Sequence, residues 1–168
     1  MKALSIYAPY VDAIARGAKR EEYRSWATKH RGDLLICAAA RTSGDIWQAP
    51  ELDGRIAPDR LRAYEHEDDA GWWHLDWRGL YVCGHAVCVV ALTDCVARDG
   101  GGYAWRLDDA RMIHPVPVKG AQRLFDVEDG IVAMLDGDYD DARRIWLDMG
   151  LVSNKERSSE IVDSHKAS

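Results

Sequence analysis

Short apolar runs separated by polar turns dominate this chain, and only two segments carry a helical period. Residues 2–7 predict a short first strand. Pro9 suits the first turn of a helix, where its missing N–H costs nothing. Val11, Ile14 and Ala15 give that helix an apolar stripe, and Gly17 is its stop. Residues 20–26 read as a largely polar strand and residues 29–32 as a basic turn. The unbroken apolar run 34–40 predicts a strand buried on both faces.

The pattern breaks over residues 41–79. This segment holds Pro50, Pro58, an acidic run at 65–69, and Trp47, Trp72, Trp73 and Trp77, four of the seven tryptophans. It reads as an insertion or cap ordered by its aromatics, with a helix over 56–64. Residues 80–95 form the longest apolar stretch, with Val87, Val89, Val90 and Leu92 marking a central strand. A glycine turn at 99–102 follows. Residues 103–107 and 111–114 read as two further strands joined by Asp108-Asp109. Pro115 and Pro117 predict a stiff extended passage, Lys119-Gly120 a turn, and 123–127 a last strand. Residues 140–149 form a second helix with Ala142, Ile145, Trp146 and Met149 on one face. Residues 152–168 are polar and aperiodic, which predicts a disordered tail. Many short strands with one early and one late helix give an α+β class, best met by a small mixed β-barrel with flanking helices over residues 1–150.

Charge refines this picture. The net charge is −6, which excludes a polycationic coat for duplex DNA. Residues 1–42 nevertheless carry eight Lys/Arg against four Asp/Glu, so a basic N-terminal part sits in an acidic protein. That asymmetry predicts a local anion site. Cys37, Cys83, Cys88 and Cys95 lie in apolar, strand-like surroundings and read as buried free thiols, in keeping with a reducing cytoplasm. Cys83, His85 and Cys88 are the nearest approach to a metal set. On a strand Cys88 points away from the other two, so no metal site is expected. No signal peptide or membrane span is expected either.

The chemistry concentrates in Gly17-Ala18-Lys19-Arg20-Glu21-Glu22-Tyr23-Arg24-Ser25-Trp26. Lys19 can grip an oxyanion as a point charge. Glu22 and Arg24 are two apart, so on a strand they share a face, and their pairing would orient the guanidinium for phosphate. Glu22 is also the candidate general base of an enzyme, with Lys19 beside it. Ser25 offers a hydroxyl, with His30 the only nearby base. Trp26 is either a stacking plate or core, and Trp105 reads as core. Lys119 and Gln122 complete the cleft if their turn faces the motif. The bland alternatives are surface ion pairs and a solvated hairpin tip.

Three segments together resemble the ASCH family of the PUA-like superfamily. They are Lys2-Ala3-Leu4-Ser5-Ile6 leading to Pro9-Tyr10; the G-x-K-x-x-E-x-R pattern from Gly17 to Arg24 with Ser25-Trp26; and Tyr103-Ala104-Trp105 with Pro115-Val116-Pro117-Val118-Lys119-Gly120-Ala121-Gln122 and Leu124-Phe125. The resemblance implies a compact β-barrel with helices and a cleft near the first helix. Binding of RNA is the usual activity it implies. Some similar proteins look like nucleases, and one group hydrolyses an acyl group from a modified cytidine nucleoside with a threonine three residues after the lysine. Here that position is Glu22. The expected partner is therefore single-stranded RNA or a nucleotide. The alternatives are a ribonuclease or modified-nucleoside hydrolase in the same cleft, and a protein-interaction module built on the Trp-rich insertion. No cofactor is expected; a divalent metal enters only if the cleft is a nuclease.

Overall fold

The structure is a computed structural model and describes residues 1–40, 65–67, 69–71, 73–75 and 79–153. Its elements run β1 (Lys2–Ile6), α1 (Tyr10–Ala15), β2 (Glu21–Arg24), β3 (Gly32–Ala38), β4 (Glu65–Glu67), β5 (Trp73–Leu75), β6 (His85–Ala97), β7 (Tyr103–Pro117), β8 (Leu124–Asp126), a 3-10 turn at Asp129–Ile131, and α2 (Tyr139–Asp148). Six strands form one sheet in the order β2-β7-β6-β3-β1-β8. Only β1 and β3 are parallel; their neighbours are antiparallel. Arg24 Nη2 on edge strand β2 donates to Ser5 O on β1, four positions away in the sheet, at 3.2 Å. That contact requires the sheet to curl. Among the described residues the result is a half-barrel with two helices, the small α+β architecture the sequence predicts.

β3 shows why its run is continuously apolar. Leu34, Ile36 and Ala38 face the main core with Leu4, Ile14, Leu92, Trp105 and Trp146. Leu35 and Cys37 face a second cluster with Ala3, Val89 and Ile113. Both faces are therefore covered, and no polar alternation survives. α1 is buried along nearly its whole length, Asp12 included. The Tyr139 hydroxyl donates to Asp12 Oδ1 at 2.6 Å, which ties the start of α2 to α1 and satisfies one oxygen of a carboxylate that burial would otherwise penalise. Burial and the neighbouring Asp12 charge push the Tyr139 phenol well above its ordinary pKa, so it serves as a fixed donor.

Several expectations are corrected. The two strands expected at 103–107 and 111–114 are one strand, bent at Asp109 (φ 51°), with register shifts against β6 that absorb the bend. Pro115 and Pro117 belong to it, in the part of β7 that lies beyond the reach of β2, where the missing N–H groups cost no ladder bond on that side. The segment 41–79 contains an antiparallel hairpin of β4 and β5 that its acidic composition concealed. The expected helix over 56–64 and Trp47, Trp72 and Trp77 lie outside the described residues. Of the apolar face of α2, Ala142 and Trp146 are buried, whereas Met149 is half exposed. Of the expected tail, residues 154–168 lie outside the described residues, whereas 152 and 153 are packed. Val152 is buried, and the Ser153 N–H donates to Gly79 O at 2.6 Å. Among the described residues no helix is long and apolar enough to cross a membrane.

α2 begins with a reciprocal cap. Asp138 accepts from the Asp141 N–H, and the Asp141 carboxylate accepts from the Asp138 N–H, both at 3.0 Å. The Asp141 N–H is the main cause that holds the Asp138 carboxyl below its ordinary pKa. A depressed carboxyl stabilises the fold above its unfolded-state pKa, about 3.9, and that contribution fades as pH falls through the folded value. Asp138→Ala is therefore expected to lower the melting temperature at pH 7, with the gap to wild type narrowing below about pH 3. A gap independent of pH would contradict an ionised cap.

Candidate anion site beside the first helix

Gly17 sets up the site. Its φ of +76° closes α1, and the Ala18 and Lys19 N–H groups then both donate to Ala13 O, at 2.9 and 3.0 Å. The chain reverses and enters β2, which pairs with β7 in a register placing Glu22 opposite Trp105 and Arg24 opposite Tyr103. Strand alternation sends Glu22 inward and leaves Tyr23 half exposed. The Glu22 side chain is only 11% exposed, and both of its oxygens are engaged. Oε2 accepts from Lys19 Nζ at 2.8 Å, and Oε1 lies 3.1 Å from Arg24 Nη2. Lys19 Nζ also donates to Glu21 O. Arg24 Nε is buried and has no hydrogen-bond partner among the described residues. The structure thus brings Lys19, Glu22 and Arg24 together, with the carboxylate as the pivot between two cations.

The later turn comes to the same place. A side chain at Gly120 would put its Cβ 2.5 Å from Ser5 Oγ, so the turn lies hard against Ser5, whose carbonyl receives Arg24. The Arg123 guanidinium sits 5.4 Å from the Trp26 ring centre. Lys119 and Gln122 are exposed on that turn, and none of their own contacts joins them to the cluster. Trp26 is half-buried. Its ring meets that of fully buried Trp105 edge-on at 4.6 Å, and its carbonyl accepts from Trp105 Nε1 at 3.2 Å. Trp26 therefore packs on the core through Trp105 and carries Arg123 over its ring. Ser25 is exposed, and the His30 ring bonds the Asp33 carbonyl instead, at 2.9 Å.

Sequence reasoning missed Arg123, Tyr23, Arg98 and the glycine hairpin as parts of this region. Tyr23, Arg24, Ser25, Arg98, Gly101 and Gly102 line a shallow hollow of about 400 Å³. Tyr23 and Trp26 flank Arg24, and each carries an arginine from a distant part of the chain over its ring. A second hollow of about 420 Å³ lies between the end of α1, the bend of β7 and the start of α2. Its cations Arg16, Lys19 and Arg20 face Asp12, Glu22 and Asp108, so Lys19 is shared between this hollow and the cluster at β2.

Of the four thiols expected to be buried, Cys37 and Cys88 are buried, whereas Cys83 and Cys95 are half-buried. Burial pushes Cys37 up to about 12 and Cys88 higher still, so neither is a thiolate at neutral pH. His85 Nδ1 lies 2.9 Å from the Cys83 carbonyl. Among the described residues no three His, Cys, Asp or Glu side chains converge as a metal set.

Removing the pivot should be costly. Glu22→Ala leaves two enclosed cations without their shared counter-charge, and it is expected to lower unfolding stability by on the order of 3 kcal/mol in a denaturant titration. A loss below about 0.5 kcal/mol would mean that the pair behaves as an ordinary surface bridge.

Comparison with known proteins accords with this geometry. The ASCH domain model matches residues 4–107, a span that runs from within β1 through α1 and β2 to β6 and into the first part of β7. The match ends before the Lys119–Gly120 turn. Human activating signal cointegrator 1 is 50% identical over 38 residues, which cover 23% of this chain and 6% of that protein's length. The chain thus spans a small fraction of that relative. With more than half of its length matched by the family model, this protein belongs to the ASCH domain family, within the PUA-like superfamily.

Proposed function

We propose that this ASCH domain binds single-stranded RNA or a nucleotide locally, at the cluster on β2. The observation that carries the reading is the enclosed Glu22 carboxylate holding Lys19 and Arg24 on one edge strand, next to the turn that brings Arg123 over Trp26. Such an arrangement pre-orients a guanidinium for phosphate and lowers the entropy lost on binding. In this reading Arg24 and Lys19 hold phosphate, the Ser25 hydroxyl donates to it, and the half-buried Trp26 ring stacks a base, an interaction worth ~1–3 kcal/mol. Lys119 and Gln122 line the outer side. The family membership supports nucleic acid as the ligand class.

The geometry favours binding over cleavage. A general base needs a free oxygen facing the proton it takes. Both Glu22 oxygens are occupied by cations, and the His30 ring bonds the Asp33 carbonyl and not Ser25. The ribonuclease and nucleoside-hydrolase alternatives would each require the cluster to open first.

Fluorescence anisotropy with a labelled ten-nucleotide oligouridylate tests the reading. Arg24→Ala is expected to weaken binding about tenfold, as befits loss of a charged hydrogen bond worth ~1.5 kcal/mol, and the RNA is expected to stay intact over hours. Shortened RNA with wild type but not with Glu22→Gln would replace the binding account with a nuclease.

A further inference from the structure

The cluster on β2 does not account for Tyr23 and Arg98. Tyr23 is on the opposite face of β2 from Glu22 and Arg24, with its ring half exposed. The Arg98 guanidinium lies 4.0 Å from the ring centre, and Lys19 Nζ lies 5.4 Å from it. Tyr23 therefore connects the inner cluster, through Lys19, to the hairpin that carries Arg98. Its hydroxyl donates to Glu21 Oε2 at 3.1 Å, which fixes the ring plane.

Arg98 is held in place by backbone. Its N–H donates to Gly102 O, and the Gly101 N–H donates to Arg98 O, both at 3.0 Å. Gly102 has φ +72°, and a Cβ there would come within 2.8 Å of Arg24 O. Only glycine lets this hairpin lie flat on the end of β2. The consequence is a backbone held so that the Arg98 guanidinium stacks on an exposed aromatic, at the rim of the shallow hollow beside Arg24. Arg31, Arg106, Arg111 and Arg144 all face carboxylates. Arg98 has no carboxylate partner among the described residues; neighbouring Asp99 is exposed and makes no ion pair with it. A stacked arginine retains its in-plane N–H donors for an anion.

We infer that Tyr23 and Arg98 form a second contact station for a nucleic-acid strand, so that the ligand is a single strand of several nucleotides and not a mononucleotide. The inference rests on the proposed nucleic-acid reading of the β2 cluster. A strand leaving Arg24 would pass over the hollow and place its next phosphate on Arg98. Unpaired bases suit it because stacking on exposed rings needs free base faces. The net charge of −6 also disfavours the many phosphate contacts of a duplex.

The test compares uridine 5′-monophosphate with a ten-nucleotide oligouridylate, titrated against the full chain as wild type, Arg98→Ala and Arg24→Ala. Arg98→Ala is expected to weaken the oligonucleotide about five- to tenfold and to reduce its log–log salt slope by ~0.7, the single-strand value for one phosphate. Its affinity for the mononucleotide should not change. Arg24→Ala should weaken both ligands. If Arg98→Ala leaves the oligonucleotide unaffected while Arg24→Ala weakens it, the second station is overturned and the cleft reading stands. Equal weakening of both ligands by Arg98→Ala also overturns it, because Arg98 then belongs to the first site. If wild type binds neither ligand, the cleft reading fails and the second station falls with it.

Discussion

Glu22 is the group on which the arrangement turns. Among the described residues it and Asp12 are the buried charged side chains, and it stays enclosed because two cations meet its two oxygens. Desolvating a carboxylate is expensive unless charge and hydrogen bonds compensate. The compensation here is local in sequence, from a lysine three residues earlier and an arginine two residues later. It needs little from the rest of the chain beyond a strand to alternate on and a wall to enclose it. Trp105, opposite Glu22 on β7, provides that wall.

The curl of the sheet turns this local motif into a site. Were the sheet flat, β2 and β1 would lie four strand positions apart and Arg24 could not reach Ser5. Curling brings the end of β1 to the cluster and, with it, the Gly120 turn that packs on Ser5. Sequence separations of about a hundred residues are thereby closed around one arginine. The helices act at a distance: α1 ends on Gly17 so that Lys19 enters at the correct angle, and α2 is anchored to α1 through the buried Tyr139–Asp12 hydrogen bond.

Much of this was legible in the residues. The two-apart spacing of Glu22 and Arg24 forces them onto one strand face, and a continuous apolar run such as that of β3 has no reading except burial on both sides. The long strand β7 was not legible, because Asp108 and Asp109 look like a turn. Only its pairing with β6, through shifted register, reveals that the residues form a bend within one strand. The hairpin in the acidic insertion was hidden for the opposite reason: its composition lacks the β-branched alternation that marks a strand. Arg98 and Arg123 were invisible as site residues because cation–aromatic stacking joins positions 75 and 97 residues apart, and no local pattern encodes it.

The central claim is that Glu22 holds Arg24 where its guanidinium meets a ligand phosphate. The most direct measurement follows the arginine Nε–Hε signals in a nitrogen–proton correlation spectrum while unlabelled oligouridylate is added. The account predicts that the Arg24 signal moves and saturates with the RNA, and that the same signal is lost or broadened in Glu22→Gln before any RNA is present. A saturable RNA titration in which the Arg24 signal stays fixed would contradict it.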